Sequence, residues 1–382
     1  TLRSGRRGDG LYHAYSRIAV RDDGVQIKYL YEMLEGQVAV LSSELLGAEE
    51  SLALLKTLRA SALYTARQHS YLLYPNRRLP SFMDRNLVPS ERVQASKLMT
   101  KLLAAGNTDL IEADQSGQVF FAGKFNNTAS VAGALTTLAN EGFVEEVEEE
   151  RAAIEGLFSD LFDCANFTGR SGGMYAYEGL GSIYWHMVSK LLLAVMETVK
   201  QAEAAGASAV VVAGLQAAYY DVREGIGFNK TPDVYGAFPT DPYSHTPDFA
   251  GARQPGMTGQ VKEEVLTRLL ELGVNVADAC VSFQPTVLRR SEFLASPATL
   301  RYFDVAGASQ EVSLEAGELG FTYCQVPVVM ALADSASITL HEVDGATESV
   351  MGSRLSAEQS EALFKKAGHY VRIDVRVTKV MD

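Results

Sequence analysis

Residues 227–259 form a polar, proline-spaced run that stops at an amphipathic segment. It reads Gly227-Phe228-Asn229-Lys230-Thr231-Pro232, then Thr240-Asp241-Pro242-Tyr243-Ser244-His245-Thr246-Pro247, then Gln254-Pro255-Gly256-Met257-Thr258-Gly259. Helical patterns flank it, at about 207–224 and from Thr258 to Leu272. Most connections in compact domains are only a few residues long, and longer ordered ones usually carry function. This one is also rich in Asp, His, Tyr and Arg, so it is read as one wall of a binding site.

The 382 residues are enough for two domains and a substantial core. A formal net charge of −13 argues against nucleic acid, because a phosphate backbone needs concentrated positive surface and the basic residues here are scattered among a surplus of acids. A neutral ligand such as an oligosaccharide fits better. No apolar run is long enough to cross a bilayer, so membrane insertion is not expected and a soluble protein is, whether cytoplasmic or periplasmic. Cys164, Cys280 and Cys324 lie far apart without C-x-x-C spacing, and the histidines are isolated. Neither a disulfide framework nor a metal site is expected, and no cofactor is implied. The basic start, Thr1 to Gly10, has neither an initiator Met nor an apolar signal core, and is read as a start inside a longer gene product.

Residues from about 29 to 105 read as helices separated by a loop. Tyr31, Leu34, Val38, Leu41 and Leu45, then Leu52, Leu55 and Leu58, recur at helical spacing. The loop from His69 to Pro80 combines aromatic and basic groups and reads equally well as a packed crossover. A strand at 118–123 and a helix at 128–140 follow. The acidic run Glu145 to Glu150 opens another helix, where negative charge suits the helix dipole, and is read as a solvated face. The strongest amphipathic pattern spans Gly179 to about Ala204, with His186 taken as a core histidine beside Trp185. Beyond Gly273, short alternating runs predominate, among them Cys280–Phe283, Ser337–His341 and Tyr370–Val377, with one helix near 357–367. The fold class expected is mainly α: a helical domain at 1–274 resembling an (α/α)6 toroid, then a small antiparallel β domain at 275–382.

Candidate chemistry clusters in two places. The glycine-rich turn at Gly169, Gly172 and Gly173 precedes Glu178 and a helix start, where backbone N–H groups can meet an anion or a sugar hydroxyl. Thr258 and Gly259 occupy a similar position at the next major helix, where Thr258 also suits a plain N-cap. Glu178, Asp241 and His245 are the acid–base candidates. Asp233 and Arg253 are candidate sugar contacts, with Tyr235 and Tyr243 as stacking faces. Breaking a glycosidic bond needs a protonated acid at the bridging oxygen, with a second carboxylate or phosphate on the other side of the reaction.

Two segments resemble the C-terminal half of the catalytic barrel in the cellobiose phosphorylase family of inverting glycoside phosphorylases. Gly172-Gly173-Met174-Tyr175-Ala176-Tyr177 is similar to that family's N-G-G-Q-Y-T-H segment. Asp233-Val234-Tyr235 through Gln254-Pro255-Gly256-Met257-Thr258-Gly259, then Glu271-Leu272-Gly273-Val274, is similar to its later loop and last barrel helix. The resemblance covers parts of residues 30–290 and leaves an extra stretch near 90–165 without a counterpart. It implies an (α/α)6 barrel with a β-rich cap acting on a β-linked glucoside or oligosaccharide. It also implies inorganic phosphate as co-substrate, held at Thr258 and Gly259, with Tyr177 and Gln254 among the substrate contacts. Tyr177 stands where the family has a phosphate-binding His, which favours hydrolysis or transglycosylation over phosphorolysis. The family's general-acid Asp motif would precede this region, so an upstream polypeptide completing the barrel is one expected partner; a homo-oligomer is the other. Two further readings stay open: a non-catalytic carbohydrate-binding barrel, and a polysaccharide lyase using Tyr243 and His245.

Overall fold

The computed structural model describes residues 3–21, 24–76, 81–162, 181–226, 230–231, 234, 245–247 and 258–382. Among the described residues helix accounts for 42% and strand for 25%, so a helical part is joined by a sheet part. The chain divides into two compact units: residues 1–74 with 183–382, and residues 75–182. The boundary at 274/275 falls inside the first unit.

The first unit opens with a hairpin of β1 (Ser16–Arg21) and β2 (Gly24–Tyr29). Helices α1 (Leu34–Leu41) and α2 (Ala48–Ala60) follow, and then the short pair β3 (Tyr64–Thr65) and β4 (Ser70–Tyr71). In the second unit come α3 (Phe82–Asn86), β5 (Leu87–Val88), α4 (Ser90–Ala95), α5 (Lys97–Ala105), β6 (Ile111–Ala113), β7 (Val119–Phe121), α6 (Thr128–Asn140) and α7 (Val144–Phe162). Asn127 caps α6 by accepting from the Ser130 N–H at 2.8 Å. Leu98, Met99, Leu102, Phe121, Leu135, Phe158 and their neighbours give this unit its own core. The acidic run of α7 is not simply solvated. The Lys97 N–H donates to Glu150 at 2.7 Å at the N-terminus of α5, Lys97 pairs with Glu149 at 2.9 Å, and Lys101 pairs with Glu146. Carboxylates of one helix thus satisfy the orphan donors and lysines of another.

The first unit resumes with β8 (Ser182–Tyr184), α8 (Trp185–Ala204), α9 (Ala209–Glu224), β9 (His245–Pro247) and α10 (Thr258–Glu271). Val188, Leu191, Val195, Met196 and Val199 of α8 are fully covered. Burying one such side chain is worth roughly 1.5–3 kcal/mol. This central helix packs against α1, α2, α9 and α10.

Cross-contacts fix the helix directions. His186 meets Glu263 near the starts of α8 and α10, and Lys200 meets Asn275 beyond the end of α10. Gln201 of α8 donates to the Glu44 carbonyl just past α1. So α1, α8 and α10 run the same way as one layer. A second layer, α2 and α9, runs oppositely: the turn at 205–208 reverses the chain, while Arg59 meets Asp221 and Leu52 abuts Gly214. Such alternation is that of helical hairpins packed in two layers.

A buried network ties α9 to α10. Glu271, 1% exposed, accepts from the Tyr219 hydroxyl, from Arg223 Nε at 2.7 Å and from Arg268 Nη1 at 2.5 Å. Arg268 also reaches Glu292 at 2.6 Å. Burial, then the adjacent carboxylate, raises the Tyr219 pKa.

After α10 the chain turns at Gly273, whose φ is +80°. A Cβ there would lie 2.3 Å from the Pro285 nitrogen, so only glycine fits. Hairpins follow: β10 (Val274–Ala277) with β11 (Cys280–Phe283), and β12 (Ala298–Phe303) with β13 (Ser309–Leu314). The main sheet contains β14 (Glu318–Tyr323), β15 (Val326–Leu332), β16 (Ser337–Glu342), β17 (Thr347–Met351) and β18 (Tyr370–Val377), with α11 (Ala357–Lys365) preceding β18. Its order is β14-β15-β18-β16-β17. Three pairings are antiparallel, but β15 and β18 are parallel, with Val328 opposite Ile373. The expected antiparallel domain is therefore a mixed sheet. The excursion through β16, β17 and α11 is long enough to return β18 alongside β15 in the same direction.

Candidate active site

The long connections enter α8 and α10 at the end where the α1–α8–α10 layer begins; the turns at the opposite end, 42–47 and 205–208, are short. In helical layers of this kind, long loops at one end are where varied side chains can gather over a rigid base. The described part of this end holds two groups.

The first lies at the start of the inner layer. β8 pairs with β9, so residues 182–184, which follow the glycine-rich segment 169–178 in sequence, are hydrogen-bonded to residues 245–247 of the 227–259 run. One residue into α8, His186 faces Glu263 of α10 at 3.7 Å, and Tyr184 places its hydroxyl 3.4 Å from His186 Nδ1. The His186 and Glu263 side chains are 22% and 17% exposed, enough shelter to strengthen their interaction while leaving them reachable. At 3.7 Å the two groups form an ion pair only when His186 carries a proton.

The second is a cavity of about 430 Å³ lined by Arg67, Gln68, His69, Glu224, Lys230 and Val234. Its wall is braced from behind. Asp221 receives Arg59 Nε at 2.8 Å and faces His69 Nε2 at 3.1 Å, while the Arg59 guanidinium stacks 3.4 Å over the Tyr64 ring. Lys230 Nζ rests on the carbonyls of Gln68 and His69. Partial burial lowers its pKa from the usual 10.5 to about 8. Between those values the unfolded chain binds more protons than the folded one, so this lysine makes stability rise with pH; below about 8 its desolvation cost is fully present. Lys230→Met is expected to flatten the rise between about pH 8 and 10.5, read from urea midpoints across that range. An unchanged slope would mean that the ammonium is fully hydrated.

Residues 79–165 match the family model of GH149 phosphorylase insertion domain 2. The matched segment lies within the second unit and includes the stretch near 90–165 that has no counterpart in the cellobiose phosphorylase resemblance. The relationship supported is to GH149-type glycoside phosphorylases, not specifically to the cellobiose phosphorylases. It supports a glycoside phosphorylase-like, carbohydrate-active enzyme. No curated protein matches the chain.

Of the residues singled out in the sequence, Tyr177, Glu178, Asp233, Tyr235, Asp241, Tyr243, Arg253 and Gln254 lie outside the described residues. His245 is placed by its backbone in β9, and Thr258 and Gly259 are the first two residues of α10. Among the described residues no cluster of His, Cys, Asp and Glu has metal-site geometry, and no helix is long and apolar enough to cross a membrane.

His186 and His69 are the described site residues that sequence reasoning passed over. The helix expected from Gly179 begins at Trp185, so His186 sits in the first turn and not within an apolar face. The β-favouring triplet Ser182-Ile183-Tyr184 is the signal that could have moved the boundary. His69 lay in a loop noted for aromatic and basic residues, but its partner Asp221 is remote in sequence.

Proposed function

We propose that this chain is part of a glycoside phosphorylase that cleaves a β-linked glucoside or oligosaccharide with inorganic phosphate as co-substrate. The observation that carries the reading is the phosphorylase insertion-domain match at 79–165, placed in the chain between α2 and α8. Phosphate belongs at the start of α10, where Thr258 and Gly259 open the helix and its positive dipole end attracts an anion. In a chain of net charge −13 such a local site is needed, because the surroundings repel phosphate.

One of Glu178, Asp241 or His245 donates the proton to the glycosidic oxygen as phosphate attacks the anomeric carbon from the opposite face, unless upstream polypeptide supplies the acid. Tyr177, Asp233, Tyr235, Tyr243, Arg253 and Gln254 line the sugar path. The pairing of β8 with β9 supports a single cleft for these two segments. The test is a product assay on β-linked gluco-oligosaccharides with and without inorganic phosphate, for this chain alone and for the chain joined to any upstream polypeptide. Sugar 1-phosphate formed only with phosphate is the expected result. Phosphate-independent products, or no turnover by either protein, would overturn the reading.

A further inference from the structure

We propose that the apolar face of the β1–β2 hairpin is a homodimerisation surface, stacking on the same face of a second copy of this chain. In the antiparallel ladder Ile18 lies opposite Ile27 and Val20 opposite Val25, with Ser16 opposite Tyr29 at the base. Paired residues, and every second residue along a strand, share one face, so these side chains form a single surface. Ile18, Val20, Val25, Ile27 and Tyr29 are 52–80% exposed. A contiguous patch of large apolar side chains left open to water marks an interaction surface, whereas such residues scattered singly do not.

The hairpin stands on a fixed base. At its entry Tyr12 is buried, and the Gln37 side chain accepts from the Tyr12 N–H at 2.9 Å and donates to the Tyr12 carbonyl at 2.8 Å. At its exit Met33 and Leu34 join the helical core, and the Tyr29 ring stacks on His13 at 4.0 Å. A two-stranded ribbon is at best marginally stable alone and gains from a second layer on its apolar face. An identical ribbon suits that layer. Two rungs carry the same residue on both strands, isoleucine with isoleucine and valine with valine, so the face matches itself across a two-fold axis. The face residues are uncharged, as in the depleted core of an interface. Segment 16–29 sets Arg17, Arg21 and Lys28 against Asp22 and Asp23, so it escapes the acidic surplus that would drive two copies apart. The five exposed residues offer roughly 600 Å² per copy, so two copies cover about 1,200 Å², the floor for a specific interface.

The inference rests on the hairpin and not on the proposed catalysis, so oligomeric state is the readout. Sedimentation velocity would be run on the wild-type chain over roughly 1–200 μM, a range that brackets the affinity of so small an interface, and a reversible dimer is expected within it. Val20→Lys and Ile27→Lys alter side chains that are already largely exposed, so both should melt at the temperature of the wild-type monomer. Each should weaken dimerisation by about 100-fold or more, because the two-fold axis brings the added charge into the apolar interface twice. Val343→Lys, at a 68% exposed valine in the turn between β16 and β17, is the control and should leave the dimer unchanged. A wild-type chain that stays monomeric throughout overturns the proposal, as does a dimer that persists unchanged in both folded hairpin variants. The same runs on the chain joined to any upstream polypeptide test the rival occupant. A dimer sensitive to Val20→Lys there supports the proposal; a monomer there means that the added polypeptide covers the face, and overturns it.

Discussion

Glu271→Ala is expected to destabilise the first unit by about 3 kcal/mol, the lower end of the range for breaking a buried ion pair. The carboxylate is 2% exposed at its side chain and holds two guanidiniums and a phenol. Removing it leaves the Tyr219 hydroxyl, on a residue with no measurable exposure, without its acceptor. Arg223 and Arg268 are 28% and 40% exposed and can rehydrate in part, which is why the estimate does not sit at the top of the range. Denaturant unfolding followed by tryptophan fluorescence checks it directly, because Trp185 is buried in the helical core. Arg301→Ala is the control: its partner Glu311 is 59% exposed, and a surface pair of this kind contributes at most about 1 kcal/mol. A loss below about 1 kcal/mol for Glu271→Ala would mean that water reaches the network.

The contrast between those two ion pairs also explains what the sequence could reveal. Elements determined by their own neighbours are legible. Helix 128–140 is bounded by its Asn127 cap, and strands 280–283 and 370–377 carry alternation between flanking turns. Elements determined by distant partners are not. The β1–β2 hairpin alternates, but Ile18, Val20, Val25 and Ile27 are more than half exposed, so its pattern marks no core. Segment 182–184 continues an apolar helical pattern, yet it pairs with 245–247. The parallel β15–β18 contact and the separate unit at 75–182 likewise depend on which segments meet, which periodicity does not encode. The candidate site divides in the same way. A polar loop and two helix starts stand out by composition, whereas the pairs His186 with Glu263 and His69 with Asp221 exist only after the layers assemble.

Thr258→Val is expected to raise the KM for phosphate by about 10- to 100-fold, with the KM for the oligosaccharide little changed. The magnitude is that of one hydrogen bond to a charged group, roughly 1.5–3 kcal/mol. The prediction follows from the proposed placement of phosphate at the start of α10, where Thr258 is the first helical residue. Valine keeps the branched shape and removes only the hydroxyl, so a selective loss of phosphate affinity separates anion binding from packing. A capping role makes a different forecast: melting would fall by the equivalent of about 1 kcal/mol and both KM values would drift together, without selectivity. Thr258→Ser restores the hydroxyl and should recover phosphate affinity in the first case. Equal KM values for phosphate in wild type and Thr258→Val would remove the start of α10 from the phosphate site, and with it the strongest link between the resemblance and phosphorolysis.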